Sequence, residues 1–274
     1  MTAYRWALLA GIWLLYFSFG VIVASMAPLI PVIGADLGID NARMGVILGA
    51  WPLAYLIAAV PCGILLDRLT PRVSLLLGGL AIGLSGIARG LAGGEATLFL
   101  AVALFGLGGP LISVGAPKLV AQWFEGPARG TAMGIYMTGP ALGTAAALAL
   151  TMSVTMPLSG DDWRTVMHFY GMLALASAGI WFVLASHPIA RADAPLGAGA
   201  LELARGSMTE LLALPSVRIV LAMAVGLFFV NHALNNWLPE MLRVSGFDAA
   251  TAGYWAAIPT LVGIAGSLVI PRLA

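Results

Sequence analysis

Of the 274 residues, 61% are hydrophobic and only 9% charged, with a mean hydropathy of +0.98. A water-facing surface needs about 25% charged residues, so lipid is the expected solvent. The net charge of +1 excludes a basic field for nucleic acid. The single cysteine, Cys62, excludes an internal disulfide framework or a cysteine-rich metal site.

A membrane helix takes about 20 mainly apolar residues. Eight stretches qualify: Trp6–Ile33, Met44–Leu66, Val73–Leu91, Thr97–Pro117, Thr131–Leu158, Thr165–Ser186, Ile219–Leu238 and Ala250–Ile270. The first follows Arg5 but is too long for a signal peptide, so it is read as an uncleaved helix. Only the third contains a charge, Arg89, two positions from its end; snorkelling to the headgroups is its expected role. No Asp or Glu falls within these bounds, so no buried carboxylate proton carrier is expected.

With the N-terminus in the cytoplasm, nine Arg and Lys fall inside and four (Arg43, Arg89, Arg164, Arg243) outside, as the positive-inside rule requires. The longest connection, His187–Val217, joins spans six and seven. Its Leu201, Leu203, Met208, Leu211 and Leu212 suit a short helix on the membrane surface. The expected domains are a six-helix bundle at 1–190, a linker at 191–217 and two helices of a second bundle at 218–274.

An internal repeat supports this division. At an offset of 208, Pro31 meets Pro239, Gly38 meets Gly246, Asp40 meets Asp248, Ala42 meets Ala250 and Gly45 meets Gly253. Six spans separate the copies, so both enter the membrane in the same direction, an organisation of parallel six-helix repeats. A second copy as long as the first would need about 120 further residues. The chain is thus expected to be a fragment of a longer fold.

The segment after span two, Gly63-Ile64-Leu65-Leu66-Asp67-Arg68-Leu69-Thr70-Pro71-Arg72, resembles the signature loop of the major facilitator superfamily, with Thr70 and Pro71 replacing the usual Gly and Arg. The resemblance implies that Gly63, Asp67, Arg68 and Arg72 form a gate, or latch, between the bundles; an ordinary acidic-basic turn is the alternative. Gly139-Pro140-Ala141-Leu142-Gly143-Thr144 in span five resembles a glycine–proline element of the same family, with Thr144 in place of its last Gly. Gly130, Gly134, Gly139 and Gly143, with Pro140, suit close helix packing. Trp123-Phe124 with Arg129-Gly130 is similar to the family's connection between spans four and five. The run from Asn235 to Glu240 resembles the cyanate-permease-like and anion-symporter branches.

The resemblance implies an all-α membrane protein, a helical bundle with about eight transmembrane helices present of an expected twelve in a 6+6 parallel repeat. It also implies a solute site near the midplane. Asn231, His232 and Asn235 on span seven are candidates for that cavity, with His232 a candidate proton acceptor; hydrogen bonding between helices is the alternative. Tyr16, Ser25, Tyr55, Tyr136 and Thr138 are further candidates, against packing or interfacial roles. Lys118, the only lysine, is a candidate for drawing an anion to the cytoplasmic exit, against an anchoring role. His168, His187 and His232 make no metal pair at helical spacing and adjoin no recognised nucleophile, so neither enzyme chemistry nor a cofactor is expected.

The expected function is secondary transport of a small polar solute, a small organic anion by preference, by rocker-switch alternating access. A non-transporting membrane sensor of the same fold is the alternative. The expected setting is the bacterial-type inner membrane, multi-pass and monomeric, with H+ or Na+ left open as coupling ion.

Overall fold

A computed structural model describes residues 2–187 and 213–273 of the chain. The expected linker and its surface helix lie almost entirely outside the described residues. Ten α-helices are present among those described, and no strand. They are α1 (Thr2–Ala24), α2 (Ile30–Leu37), α3 (Asn41–Arg68), α4 (Pro71–Gly90), α5 (Glu95–Trp123), α6 (Gly126–Leu150), α7 (Met156–Leu158), α8 (Trp163–Leu184), α9 (Pro215–Val244) and α10 (Ala249–Leu273). Seven of the resulting spans are long and apolar enough to cross a membrane, and α10 carries a shorter apolar stretch, Ala249–Ile264.

The helix ends follow from local chemistry. Gly38, at φ +66°, ends α2, and the Asp40 carboxylate then accepts from the Arg43 amide (2.8 Å) to start α3. The second repeat builds the same turn: Gly246 sits at φ +101°, and the Asp248 carboxylate accepts from the Thr251 amide (3.0 Å) at the start of α10. Glycine tolerates the left-handed backbone and Asp satisfies orphan amides at a helix start. These two requirements are what the repeat preserves.

Two spans are broken. Span one bends at Ser25–Met26 into a 3-10 turn, Ala27–Leu29, before α2. Pro28 and Pro31 supply no amide to the preceding turn, which disfavours a continuous helix. Span five passes through a π-helical turn at Thr151–Thr155. There the Tyr170 hydroxyl on α8 lies 2.9 Å from the Thr151 hydroxyl and 3.0 Å from that of Thr155.

The first six spans pack chiefly as α1 on α6, α3 on α5, and α4 on α5 and α8; α10 packs on α6, and α9 on α10 and the 3-10 turn. In lipid, helices associate through close van der Waals contact rather than hydrophobic expulsion, so small residues mark the seams. A Cβ on Gly143 would stand 2.0 Å from the Phe17 carbonyl oxygen of α1, and one on Gly253 would stand 2.3 Å from the Leu148 carbonyl oxygen of α6. The core holds Ile12, Ile22, Leu29, Ile33, Phe105 and Trp181, all essentially inaccessible. Apolar side chains also face outward, including Leu53, Leu56, Ile57 and Val60 on α3 and most of Ile219–Val230 on α9, as a lipid-solvated helix permits.

Arg89 departs from the snorkelling expected of it. It is 2% exposed, inside the bundle, and donates to the Ile22 carbonyl (2.7 Å) and the Ser25 hydroxyl (3.2 Å). Both acceptors lie at the end of α1, whose terminal carbonyls lack amide partners and favour a cation.

Candidate functional site

Three helices, α6, α9 and α10, line an open cavity of about 610 Å³. Its polar lining is Thr138 and Thr144 from α6, Asn231 and Asn235 from α9, and Thr260 from α10, set among apolar groups such as Met133, Leu234 and Pro259. Asn231 and Asn235 are four residues apart and so share one helix face. The Asn235 amide donates to the Asn231 carbonyl and side-chain oxygens, both at 2.9 Å. Thr260 donates to the Asn235 side-chain oxygen at 3.1 Å. A hydrogen-bonded ladder therefore links spans seven and eight and leaves the Asn231 amide group to donate into the cavity. Opposite, Thr138 accepts from the Trp13 indole (2.9 Å) and donates to the Ile135 carbonyl (2.7 Å); Thr144 donates to the Gly20 carbonyl (3.3 Å). Among the described residues, no charged side chain lines the cavity. Its chemistry is that of neutral donors and acceptors matched to hydroxyl or carbonyl groups.

The other candidate residues lie elsewhere. His232 meets other partners than Asn231 and Asn235 do. Its ring stacks on Phe228 (5.7 Å, 7°) and meets Trp51 of α3 edge-on (5.5 Å, 66°). The Asn236 amide lies 3.2 Å from its Nδ1. Tyr16 and Tyr136 are buried against each other between α1 and α6 (5.5 Å, 90°). Tyr55 bonds to Ser113 at 2.6 Å across the α3–α5 seam. Ser25 is fully buried and donates to Ile22 while accepting from Arg89.

Of the expected latch, Asp67 accepts from Lys118 at 3.3 Å, so two residues assigned separate roles meet in one ion pair. Arg72 lies over the Phe182 ring (3.8 Å), and its carbonyl accepts from the Trp181 indole (3.2 Å). Arg68 closes α3, and the space beside Gly63 is open. Among the glycines of span five, Gly139 would clash with the Trp13 carbonyl if given a Cβ (2.9 Å) and Gly143 with that of Phe17; Gly130 has open space, and Gly134 and Pro140 line the cavity.

Sequence reasoning missed three groups. Thr144 drew notice only as a departure from a glycine pattern, and Thr260 was one hydroxyl in a helix of small residues. Glu240 was placed beyond span seven, but α9 continues to Val244, which leaves Glu240 8% exposed and held by Arg243 at 2.7 and 2.8 Å. The basic residue three positions on was the available signal.

Comparison with known proteins places this geometry. A probable L-galactonate transporter of Escherichia coli (strain K12) is 30% identical over 250 residues, covering 85% of this chain and 53% of that protein. An uncharacterized transporter, YycB, of Bacillus subtilis (strain 168) is 27% identical over 268 residues, covering 97% of this chain and 63% of that one. The chain thus spans a little over half of these relatives' lengths. Among solved structures, a bacterial homologue of the human lysosomal transporter Spinster, in an inward-facing and unoccupied conformation, matches with a TM-score of 0.78 at 20% identity. That match covers 98% of this chain and 62% of the other, and it shows the shared fold. The relatives are transporters rather than enzymes. Residues 12–274 match the family model described as Major Facilitator Superfamily, and the chain belongs to that family.

Proposed function

We propose that this chain carries the solute path of a secondary transporter for small hydroxylated organic acids of the sugar-acid class. The observation that carries this reading is the cavity between α6, α9 and α10. Amides and hydroxyls from three helices converge there at the junction of the first six spans with the seventh and eighth. Its uncharged lining suits the hydroxyls of a sugar acid rather than the carboxylate. The acid class is supported by similarity to a protein named as a probable L-galactonate transporter.

The mechanism that fits is a rocking of two bundles about this cavity, with the N-terminus cytoplasmic as the charge distribution requires. Residues 1–190 form the first bundle and residues 218–274 begin the second, joined by the linker at 191–217. Asp67, Arg68 and Arg72 sit at the end of the bundle that would face the cytoplasm. There they act as the latch, with Lys118 holding Asp67 in place. His232, wedged between Trp51 and Phe228, is a contact between the bundles rather than a solute ligand.

Uptake of radiolabelled L-galactonate into proteoliposomes holding the native-length protein tests the reading. Asn235→Ala and Thr260→Val are expected to raise KM at least fivefold. Saturable uptake of L-galactonate or a related sugar acid that is indifferent to both substitutions sinks the assignment of this cavity. No uptake of any sugar acid sinks the substrate class.

A further inference from the structure

Arg89 is the one fully buried cation among the described residues, and its surroundings are unusual for one. Among the described residues no carboxylate pairs with it, its Nε atom has no hydrogen-bond partner, and its one aromatic contact is a long cation–π approach, 5.8 Å from the guanidinium carbon to the Phe105 ring centre. A charge in that position is retained only where something else neutralises it. Here the compensating group is the end of α1. Ile22 lies within its last turn, where carbonyls lack amides further along the helix and the helix dipole is negative. The Ile22 oxygen accepts from Arg89 Nη1 and from the Ser25 hydroxyl, and the same Nη1 reaches that hydroxyl. Arg89 is therefore a side-chain cap on α1, delivered from α4.

The capped end is where span one bends. Immediately beyond it, Ala27–Leu29 form the 3-10 turn that lies against α9. Ala27 and Leu29 are 1% and 0% exposed. The bend thus sets a contact between the first six spans and span seven, and Arg89 holds the end of α1 from which the bend starts.

We propose that Arg89 is a positioning residue for transport: by capping α1 it holds the bend in span one that presses Ala27–Leu29 against span seven. It is not among the residues that line the cavity between α6, α9 and α10. Without the cation, the freed carbonyls of α1 would be met by a straighter helix or by water, and the 3-10 turn would lose its seat on α9. The transport consequence rests on the function proposed above, whereas the structural consequence does not.

The test uses the native-length protein in membranes, with Cys62 and every other cysteine of that protein replaced by Ala as background and Ala27→Cys as reporter. A charged, bilayer-impermeant maleimide is added from the side bearing the 3-10 turn. Arg89→Met is expected to label at least fivefold faster than the parent, with Arg89→Lys intermediate because it keeps the cation but not the guanidinium geometry. Separately, Arg89→Met in the parent chain is expected to lower the maximal rate of L-galactonate uptake about tenfold, with KM within threefold. Labelling within twofold of the parent overturns the proposal whether or not L-galactonate is a substrate. Faster labelling with an unchanged maximal rate confines Arg89 to a structural role and overturns the positioning claim. If Arg89→Met does not insert, Ser25→Ala removes one acceptor and leaves the cation. A twofold gain in labelling then supports the proposal, and no gain overturns it.

Discussion

Replacing Gly143 by Ala adds one methyl group to the seam between α1 and α6. The added Cβ would stand 2.0 Å from the Phe17 carbonyl oxygen and 3.0 Å from the Val21 amide nitrogen, against an ordinary contact of 3.4 Å or more. Both neighbours are backbone, which cannot rotate away, so the helices must part by roughly 1 Å. A radial gap of about 0.5–1 Å forfeits a quarter to a half of each contact's attraction. Overpacking of this kind costs about 1–3 kcal/mol, set against about 1 kcal/mol of helix propensity gained on replacing Gly by Ala. Gly179 provides the control. It lies inside α8 with no atom within 4 Å of its Cβ position, so Gly179→Ala gains propensity without a clash. Thermal unfolding in detergent, followed by tryptophan fluorescence, should place Gly143→Ala below Gly179→Ala by roughly 2–12 °C for a chain of this size. A Gly143→Ala protein that melts with or above Gly179→Ala refutes the claim that backbone contact defines this seam.

Three further outcomes are expected. The Asp67–Lys118 pair is partly exposed, so a double-mutant cycle with alanine should give about 0.2–1 kcal/mol of coupling; Asp67→Lys with Lys118→Asp should recover stability lost in either reversal alone, and two additive single losses would show that the pair does not form. Trp51→Ala and Phe228→Ala should be coupled by about 0.5–1.5 kcal/mol, the size of an aromatic pair, whereas strict additivity would mean that α3 and α9 do not meet there. Asp162 caps α8 through the amides of Arg164 and Thr165 and the Thr165 hydroxyl, so Asp162→Ala should cost about 0.5–2 kcal/mol and Asp162→Asn much less.

The same Asp162 carboxyl is held below its ordinary value, chiefly by the Thr165 hydroxyl; burial opposes this, and the backbone amides of Arg164 and Thr165 and the Arg164 charge add to the lowering. A depressed folded-state value means that its contribution is complete above the unfolded carboxylate value and is lost as pH falls through the folded one. The window therefore lies below about pH 4. A pH titration of unfolding should show a shallower acid limb for Asp162→Asn, since Asp248 is also held low and still contributes; an identical limb in both proteins would mean that Asp162 does not titrate as a cap.

Much of the fold was legible in one dimension because lipid imposes a simple rule: each span must satisfy its own backbone and present an apolar surface. The spans, the turn at Gly38–Asp40 and its repeat at Gly246–Asp248 are all local consequences of that rule and of helix capping. Apolar run length was a poorer guide to where a helix ends. Span seven stops at Leu238 by hydropathy but continues to Val244 in the structure, past Pro239, because charge does not by itself end a helix and the Glu240–Arg243 pair lies one turn apart along it.

The candidate site was only half legible. Asn231 and Asn235 stood out as costly in lipid and do line the cavity, whereas Thr144 and Thr260 join them only because α6 and α10 bring them there. Composition by itself determined that this chain lives in a bilayer, since so few charges cannot hydrate a surface. Periodicity and turn chemistry determined its helices and its repeat. Only the tertiary structure decided that His232 and Asn235, three residues apart, face different neighbours, and that Arg89 points into the bundle rather than out to the headgroups. The physical reason is the same in both cases. In lipid a polar side chain goes to whatever donor or acceptor the neighbouring helix offers, and which helix is the neighbour is a property of packing.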